Sequence, residues 1–464
     1  MNKLVSLVAG LIIWCVSAVA QTGSFADTAA QLDKLFQSWN THTPGGVLTI
    51  ARGDRILYNK AGGMANLEHH IANTPATIFE AGSVSKQFTA TAVLMLAEEG
   101  KLQLDDDIRK YIPELPDYGK TITIKHLLVH TSGLKDWGTI AAFGGWPRGT
   151  RAYTQDHARE IIFRQKTLNF APGTKYSYSN SNYTLLTTLV ERVSGQTLAA
   201  FTRKRIFEPV GMKHTGWRDD FRKIVPNRAV AYDKKGRQYI QFMPFENTHG
   251  HAALLTTTED LLKWLRYWAK SKFGPMLSRL REEQGITNDG QTISYAAGAV
   301  RVATFNGVRE VSHSGATAGY RAWLAWYPEK ELSVVYLSND GSTIPTSAMG
   351  AKVAEVFFGK PPVPVRQAVD TVMPHKPDPK DYIAYAGKYY SEDADALFTV
   401  QVKGDTLVLF RSPSTTMVLK PVSHDTFIVD NSVKIEFIRD RKNKVTGFYG
   451  SAERALRIPF TRIK

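Results

Sequence analysis

The spacing Ser83-x-x-Lys86 constrains this chain more than any other feature of its sequence. Four apolar residues follow it at helical spacing: Ala92, Val93, Leu96 and Ala97. This pattern predicts an amphipathic helix with Ser83 at its N-terminus and Lys86 one turn later on the same face. The positive end of the helix dipole favours negative charge on the serine hydroxyl and disfavours a protonated lysine. We therefore expect a serine nucleophile beside an amine that can act as its base.

The same spacing occurs a second time, at Ser132 and Lys135. Gly133 interrupts it and Trp137 follows it, with no apolar period behind. A short motif is evidence of function only when its structural context agrees, so we interpret this second copy as a turn.

Two further motifs occur later in the chain, each in a context that suits a site. Tyr178-x-Asn180 follows a turn signal at Pro172 and precedes a helical apolar stripe that ends near residue 195. His313-x-Gly315 comes shortly before the aromatic-rich segment 322–327, which is typical of a strand. Each pair alone could be structural, but the ordered set of three indicates one catalytic site.

The three motifs in this order resemble the signature of the serine β-lactamase and penicillin-binding-protein superfamily. The Y-x-N form is similar to the branch that holds class C β-lactamases, D-alanyl-D-alanine carboxypeptidases, D-amino-acid peptidases and esterases. Segments 124–134, 178–183 and 313–320 also resemble this branch, and the resemblance extends from about residue 30 to about residue 345.

The resemblance implies an α+β fold, in which one antiparallel sheet is flanked by helices and a mostly helical region is inserted in the middle. Ser83 would begin a helix at the junction of the two regions. Tyr178 would come from the helical region and the His313 segment from the sheet edge. We expect the pocket between them, which is a usual place for a site.

The resemblance also implies catalysis through an acyl-enzyme on Ser83. Lys86 and Tyr178 would share the proton transfers, and the sequence leaves open which of them is the base. Asn180 would hold either Lys86 or the substrate amide by hydrogen bonds. The oxyanion hole would consist of the backbone N–H groups of Ser83 and Ala316.

The third motif is expected to bind substrate through His313, Ser314 and Gly315. Related β-lactamases usually carry Lys-Thr-Gly there, so His313 and Ser314 replace the lysine and the threonine. Because histidine is mostly neutral at pH 7, the attraction for a substrate carboxylate should be weaker. Efficient β-lactam hydrolysis is therefore not expected.

These observations favour a serine peptidase or amidase that acts on short peptides, including cell-wall-type peptides with D-residues. An esterase for small acyl esters would use the same fold and nucleophile, so it remains the alternative. A β-lactamase is disfavoured by His313. A silent binding protein of the same fold is disfavoured by the complete set of motifs.

Residues 1–20 have the pattern of a cleaved secretory signal peptide. Lys3 supplies the positive start, residues 4–16 the apolar centre, and Ala18-x-Ala20 the small-residue cleavage site. Cys15, the single cysteine, would be removed with it, so the mature chain is expected to lack disulfides. No later segment is apolar enough to span a membrane. We expect a periplasmic or secreted protein.

The chain is basic, with a formal net charge of +15. An exported basic protein can be attracted to anionic envelope polymers such as cell-wall polysaccharide, although a generically basic surface explains the charge equally well. A nucleic-acid partner is not expected, because no basic run stands out. The expected partner is a small peptide or ester substrate.

The rest of the chain divides into three parts after the signal peptide: a hydrolase domain (21–358), a proline-rich linker (359–380) and a small β domain (381–464). A hairpin is predicted around Gly53 near the start of the hydrolase domain, and Thr258 is predicted to cap a late helix. Short strands separated by turns after residue 396 predict a small antiparallel sheet or barrel. This part resembles a lipocalin-like module.

Histidine pairs occur at three places but predict no metal site. His126 and His130 lack the glutamate of H-E-x-x-H, and the pairs 69–70 and 249/251 lack enough further ligands. No phosphate-binding glycine motif occurs between a predicted strand and a predicted helix either. We therefore expect neither a metal nor an organic cofactor.

Overall fold

The computed structural model describes residues 25–362, 379–411, 415–429 and 432–464. The predicted signal peptide (1–20) and most of the predicted linker (359–380) lie outside these ranges. Within them, no helix combines the length and apolar character that a membrane span requires.

The structure contains runs of α-helices and runs of antiparallel strands, as the predicted α+β class requires. The α-helices are α1 Phe25–Leu35, α2 Lys86–Glu98, α3 Ile124–Leu128, α4 Trp137–Phe143, α5 Gln155–Phe163, α6 Asn180–Ser194, α7 Leu198–Thr202, α8 Glu208–Val210, α9 Thr258–Ala269, α10 Pro275–Arg281 and α11 Thr346–Phe358. The strands before the C-terminal domain are β1 Gly46–Arg52, β2 Arg55–Gly62, β3 Met64–Asn66, β4 Ile71–Ala72, β5 Phe79–Glu80, β6 Gly216–Trp217, β7 Tyr232–Lys235, β8 Gln238–Gln241, β9 Leu254–Thr256, β10 Gln284–Ile286, β11 Thr292–Ala296, β12 Val300–Phe305, β13 Val308–Thr317, β14 Tyr320–Tyr327 and β15 Leu332–Ser338. The C-terminal strands are β16 Gly387–Ser391, β17 Ala396–Lys403, β18 Thr406–Arg411, β19 Thr415–Ser423, β20 Thr426–Val429, β21 Val433–Arg439, β22 Val445–Ala452 and β23 Ala455–Ile463.

An antiparallel sheet of eight strands, in the order β10-β11-β12-β13-β14-β15-β1-β2, forms the centre of the hydrolase domain. Strands β1 and β2 make the hairpin predicted around Gly53, which adopts a φ of +55° in the turn. Helices α1 and α11 pack on one face and share a core with Leu48 and Tyr336. The helical region packs on the other face, so the predicted fold class is confirmed.

Helix α2 lies in the middle of the domain rather than on its surface. The predicted helix is confirmed, but every residue from Lys86 to Leu96 is buried, so its predicted amphipathic character is wrong. The polar residues of α2 face other protein groups. The Thr89 hydroxyl donates to the carbonyl of Gly250 at 2.9 Å, and Gln87 accepts from the Trp264 indole at 3.0 Å. Satisfied polar groups allow a helix with threonines to be buried completely.

Strand β13, which carries the His313 motif, is an interior strand in the order of the sheet, so the predicted edge is not an outer edge of the sheet. Its first half pairs with β12 as far as Ser312, and residues 313–317 pair with β14 only. The motif therefore occupies a locally free edge, and the turn that contains Ser83 packs against it.

The start of α9 also differs from the expectation. The side chain of Thr257, not Thr258, caps this helix by accepting a hydrogen bond from the backbone of Asp260 at 3.2 Å. Thr258 is buried instead and bonds to Thr49 of β1.

The C-terminal strands β16 to β23 form a closed antiparallel barrel in which each strand pairs with the next and β23 returns to β16. Closure removes the exposed strand edges. Aromatic side chains fill the interior, with Phe398, Phe448 and Phe460 stacked on one another.

The barrel lies directly against the helical region of the hydrolase domain. Gln165 donates to the backbone carbonyl of Asp393 at 3.0 Å, and Arg411 donates to that of Ala142 at 2.5 Å. Lys135 and Asp393 form a buried ion pair at 3.9 Å across the same boundary. These contacts fix the position of the barrel relative to α6, which begins at Asn180, and to the segment before it that contains Tyr178.

Candidate active site

Ser83 lies in a 3₁₀ turn, Gly82–Ser85, which leads directly into α2. Ser83 is partly exposed, whereas its neighbours Gly82 and Val84 are buried. The turn is held by Ser85, whose hydroxyl donates to the Gly82 carbonyl at 2.5 Å and accepts from the Leu254 amide at 3.0 Å. The Ser83 hydroxyl is therefore accessible on a rigid support.

Lys86 is fully buried, and its amine contacts three oxygens. Its Nζ lies 3.2 Å from Ser83 Oγ, 2.9 Å from Asn180 Oδ1 and 2.6 Å from the backbone carbonyl of His251. Burial lowers the pKa of Lys86 well below its usual value, and the positive charges of Arg148 and Arg454 lower it further. The structure thus brings Ser83 and Lys86 together with an amine that readily becomes neutral.

Asn180 begins α6, and the start of α4 holds it in place. Its backbone N–H donates to Asp136 Oδ2 at 2.7 Å, while Asp136 Oδ1 caps α4 by accepting from the Thr139 amide at 3.0 Å. Asp136 comes directly after the second S-x-x-K copy, which lies in a loop with buried Ser132 and Lys135. No sequence pattern indicates Asp136, since only the tertiary fold brings it to Asn180.

The Tyr178 ring lies beside Lys86, with Nζ 4.8 Å from the ring centroid. Its hydroxyl oxygen is buried and makes no hydrogen bond to the described residues. Burial raises the pKa of Tyr178 above its usual value, and the nearby Ser83 hydroxyl and the Arg454 guanidinium oppose this rise. The hydroxyl is therefore free to exchange a proton with a reacting group.

His130 packs against the ring of Tyr178, which is a role that the sequence did not indicate. Its ring stacks on Tyr178 with centroids 4.3 Å apart, and its Nδ1 accepts from the Ser179 amide at 3.2 Å. Burial lowers the pKa of His130 well below its usual value, so the ring is a neutral acceptor. Helix α3 ends before His130, so His126 and His130 do not share a helix face.

His313 is buried, and both of its ring nitrogens contact protein groups. Nε2 lies 2.9 Å from the Tyr295 hydroxyl, and Nδ1 lies 2.6 Å from the Ser314 carbonyl. Burial lowers the pKa of His313 to about 4. The imidazole is thus neutral at physiological pH, with Nδ1–H donating to Ser314 and Nε2 accepting from Tyr295.

The second half of β13 packs tightly against the Ser83 turn. A Cβ on Gly315 would lie 2.0 Å from the Ala81 carbonyl, and one on Gly82 would lie 2.6 Å from the backbone nitrogen of Ala316. Ala316 itself is exposed to solvent beside this contact. The backbone of Ala316 therefore reaches the turn that contains Ser83 at the accessible side of this residue.

Replacing Gly82 with alanine should lower kcat/KM by on the order of a hundredfold or more, because the added Cβ would displace Ala316 from the Ser83 turn. Gly82 also has a φ of +52°, which favours glycine. Gly100→Ala is a matched control, since Gly100 has a φ of +69° but open space around its Cβ position. The control should lose about 1 kcal/mol of stability and keep its activity, measured by thermal unfolding and steady-state kinetics. Equal activities for the two variants would contradict the role of this contact.

A cleft of about 170 Å³ opens next to Ala316. Its walls come from residues 148–149, from the segment 242–246 and from the end of β13. Arg148 and Glu246 form an ion pair on one side. Among the described residues, no cluster of histidine, cysteine and acidic side chains could hold a metal ion.

Comparison with known proteins identifies the family of the chain. The Beta-lactamase family model matches residues 25–355, and a second model, a domain of unknown function (DUF3471), matches residues 372–457. The chain therefore belongs to the β-lactamase family of serine hydrolases.

Individual relatives span most of the chain. Penicillin-binding protein 4* of Bacillus subtilis is 30% identical over 436 residues, which cover 88% of this chain and 93% of that protein. A D-aminopeptidase of Gluconobacter oxydans is 31% identical over 329 residues, covering 70% of this chain and 60% of that protein. The octameric penicillin-binding protein homologue from Pyrococcus abyssi has a TM-score of 0.64 at 23% identity and covers 94% of this chain and 99% of its own, which supports the fold.

Proposed function

We propose that this chain is an exported serine peptidase or amidase that cleaves short peptides containing D-residues through an acyl-enzyme on Ser83. The observation that carries this proposal is the 3.2 Å contact between Ser83 Oγ and the buried Lys86 amine. Two relatives support the substrate class, since one is named a D-aminopeptidase and another a penicillin-binding protein.

Lys86 is the base for acylation in this mechanism. A neutral amine has two N–H groups and one lone pair. Asn180 Oδ1 and the His251 carbonyl can only accept hydrogen bonds, so they take the two N–H groups. The lone pair then faces Ser83, whose hydroxyl can donate. The low pKa of Lys86 makes this neutral form accessible at physiological pH.

Acylation then follows with balanced proton transfers. Ser83 Oγ forms a bond to the substrate carbonyl carbon while its proton moves to Lys86. The carbonyl electron pair moves to oxygen, where the N–H groups of Ser83 and Ala316 stabilise the charge. Tyr178 donates its proton to the leaving amine, the C–N bond breaks, and Lys86 returns a proton to Tyr178.

Deacylation uses the same groups with water in place of the amine. Water adds to the acyl carbon while its proton moves to Lys86, and the bond from that carbon to Ser83 Oγ breaks as Oγ regains a proton. His130 keeps the Tyr178 ring in place throughout, because it stacks on the ring and accepts from the neighbouring Ser179 amide.

The small cleft beside Ala316 favours a short side chain on the acyl residue of the substrate. Export is supported by the signal-like pattern of residues 1–20, whose removal would leave a charge of +15 − 1 = +14 because that segment carries one lysine and no acid. A mature protein of this charge would be concentrated near anionic cell-wall polymers, where D-residue peptides occur.

The substrate class is tested with matched peptides, N-acyl-D-Ala-D-Ala and N-acyl-L-Ala-L-Ala, and with p-nitrophenyl acetate as the ester. We expect kcat/KM for the D-peptide to exceed that for the L-peptide by about tenfold or more, the range that differential binding in a shaped pocket supplies. Hydrolysis of the ester without either peptide would contradict the proposal and favour an esterase.

A further inference from the structure

The turn between β22 and β23 of the barrel reaches the candidate active site. Arg454 lies at this turn, and its guanidinium carbon is 5.1 Å from the centroid of the Tyr178 ring. The same ring lies 4.8 Å from Lys86 Nζ. The C-terminal domain therefore places a positive charge beside the proposed catalytic groups.

Hydrogen bonds to the hydrolase domain hold this turn in position. The backbone carbonyl of Arg454 accepts from the Asp136 amide at 2.9 Å and from Asn169 Nδ2 at 3.2 Å. Asn169 Oδ1 in turn accepts from the Leu456 amide at 2.7 Å. Because Asp136 also holds Asn180, the Arg454 backbone is tied to the same framework as the site.

Apart from its contact with the Tyr178 ring, the Arg454 side chain is not committed to another described residue. Across the described residues, it donates no hydrogen bond, and its buried Nε has no hydrogen-bond partner. Its only ion-pair contact there is with its own neighbour Glu453, 3.6 Å away, whose side chain is 83% exposed. An arginine with free N–H groups is suited to bind a carboxylate through two parallel hydrogen bonds.

The other cationic groups near Ser83 are not available to a substrate anion. Lys86 is buried against three oxygens, and Arg148 pairs with Glu246. His313 is neutral, with both ring nitrogens occupied. Of the two described arginines whose charges act on Lys86 or Tyr178, Arg454 is thus the one without a carboxylate partner beyond its own neighbour.

We propose that Arg454 binds the free C-terminal carboxylate of the peptide substrate, so that the barrel supplies the charge which His313 does not. This assignment rests on the proposed function and narrows it to cleavage of the last peptide bond. The leaving residue would carry the carboxylate that contacts Arg454.

The test compares N-acyl-D-Ala-D-Ala with its C-terminal amide, using the full mature chain and its Arg454→Gln variant. We expect Arg454→Gln to lower kcat/KM for the free acid by about 10- to 100-fold, the range for loss of a charged hydrogen-bonded contact. The rate with the amide should change by less than about threefold. Arg454→Lys should recover part of the kcat/KM for the free acid, since lysine keeps the charge but lacks the two parallel N–H donors of a guanidinium.

Arg441→Gln is the matched control, because it removes the same charge from the β21–β22 turn, at the opposite end of β22. It should leave both rates unchanged. The carboxylate role would be overturned if Arg454→Gln kept its kcat/KM for the free acid, or if its kcat/KM fell equally for the acid and the amide. Absence of hydrolysis of both substrates by the unaltered chain, with Ser83 still labelled by a neutral fluorophosphonate, would overturn the proposed function and this assignment with it.

Discussion

Replacing Ser83 with alanine should abolish turnover, with kcat reduced by on the order of 10⁵-fold or more, as is typical when a catalytic serine is removed. The fold should remain intact, because the Ser83 side chain is partly exposed and its hydrogen bond joins it to Lys86 alone among the described residues. Steady-state kinetics and thermal unfolding of the purified variant measure the two effects separately.

Ser132→Ala is the matched control for this experiment, since it removes the same atom from the second S-x-x-K copy. Ser132 donates to Asn182 Oδ1 at 2.7 Å, so this variant should lose stability. It should nevertheless still react with a fluorophosphonate at Ser83. Substantial residual turnover in Ser83→Ala would contradict the assignment of the nucleophile.

Replacing Lys86 with methionine should lower kcat by on the order of 10³-fold, within the range for removal of a general base. Methionine keeps the length of the side chain but cannot accept a proton. Two acceptors, Asn180 Oδ1 and the His251 carbonyl, would lose their donor, so some stability should also be lost.

Lys86→Arg separates the role of the base from the role of the charge. Arginine stays protonated, so this variant should be as slow as the methionine variant if Lys86 is the base. In the unaltered chain the rate should rise with pH as Lys86 loses its proton. Because burial lowers the pKa of Lys86 well below its usual value, the plateau should be reached at a pH well below the one at which an exposed lysine loses its proton. A rate in Lys86→Arg close to that of the unaltered chain would contradict this role.

The contact between Ser83 and Lys86 and the fold class could be predicted because they depend on local spacing and on order along the chain. Ser83 and Lys86 are one helical turn apart, so their contact follows from helix geometry alone. Short patterns were insufficient by themselves, since S-x-x-K recurs at Ser132 and H-x-G recurs at His214. The His214 amide bonds to Asp260 in a different part of the fold.

The supporting groups could not be predicted, because they come from distant parts of the chain. Lys86 donates to the backbone carbonyl of His251, and the backbone amide of Asn180 donates to the carboxylate of Asp136. A pattern of side chains in the sequence does not predict contacts made by the backbone. Arg454 belongs to a separate domain whose position depends on contacts such as that between Asn169 and Leu456. The interior place of β13 in the sheet could not be predicted for a related reason, since strand order depends on pairing across the whole sheet.

The most direct test of Ser83 as the nucleophile is to identify the residue that a neutral fluorophosphonate modifies, by intact mass followed by peptide mapping. If Ser83 is the nucleophile and Lys86 its base, we expect one adduct per chain, located on Ser83. This adduct should be absent in Ser83→Ala and should form much more slowly in Lys86→Met. An adduct on another serine, or no adduct on a folded protein, would contradict the claim that Ser83 is the nucleophile.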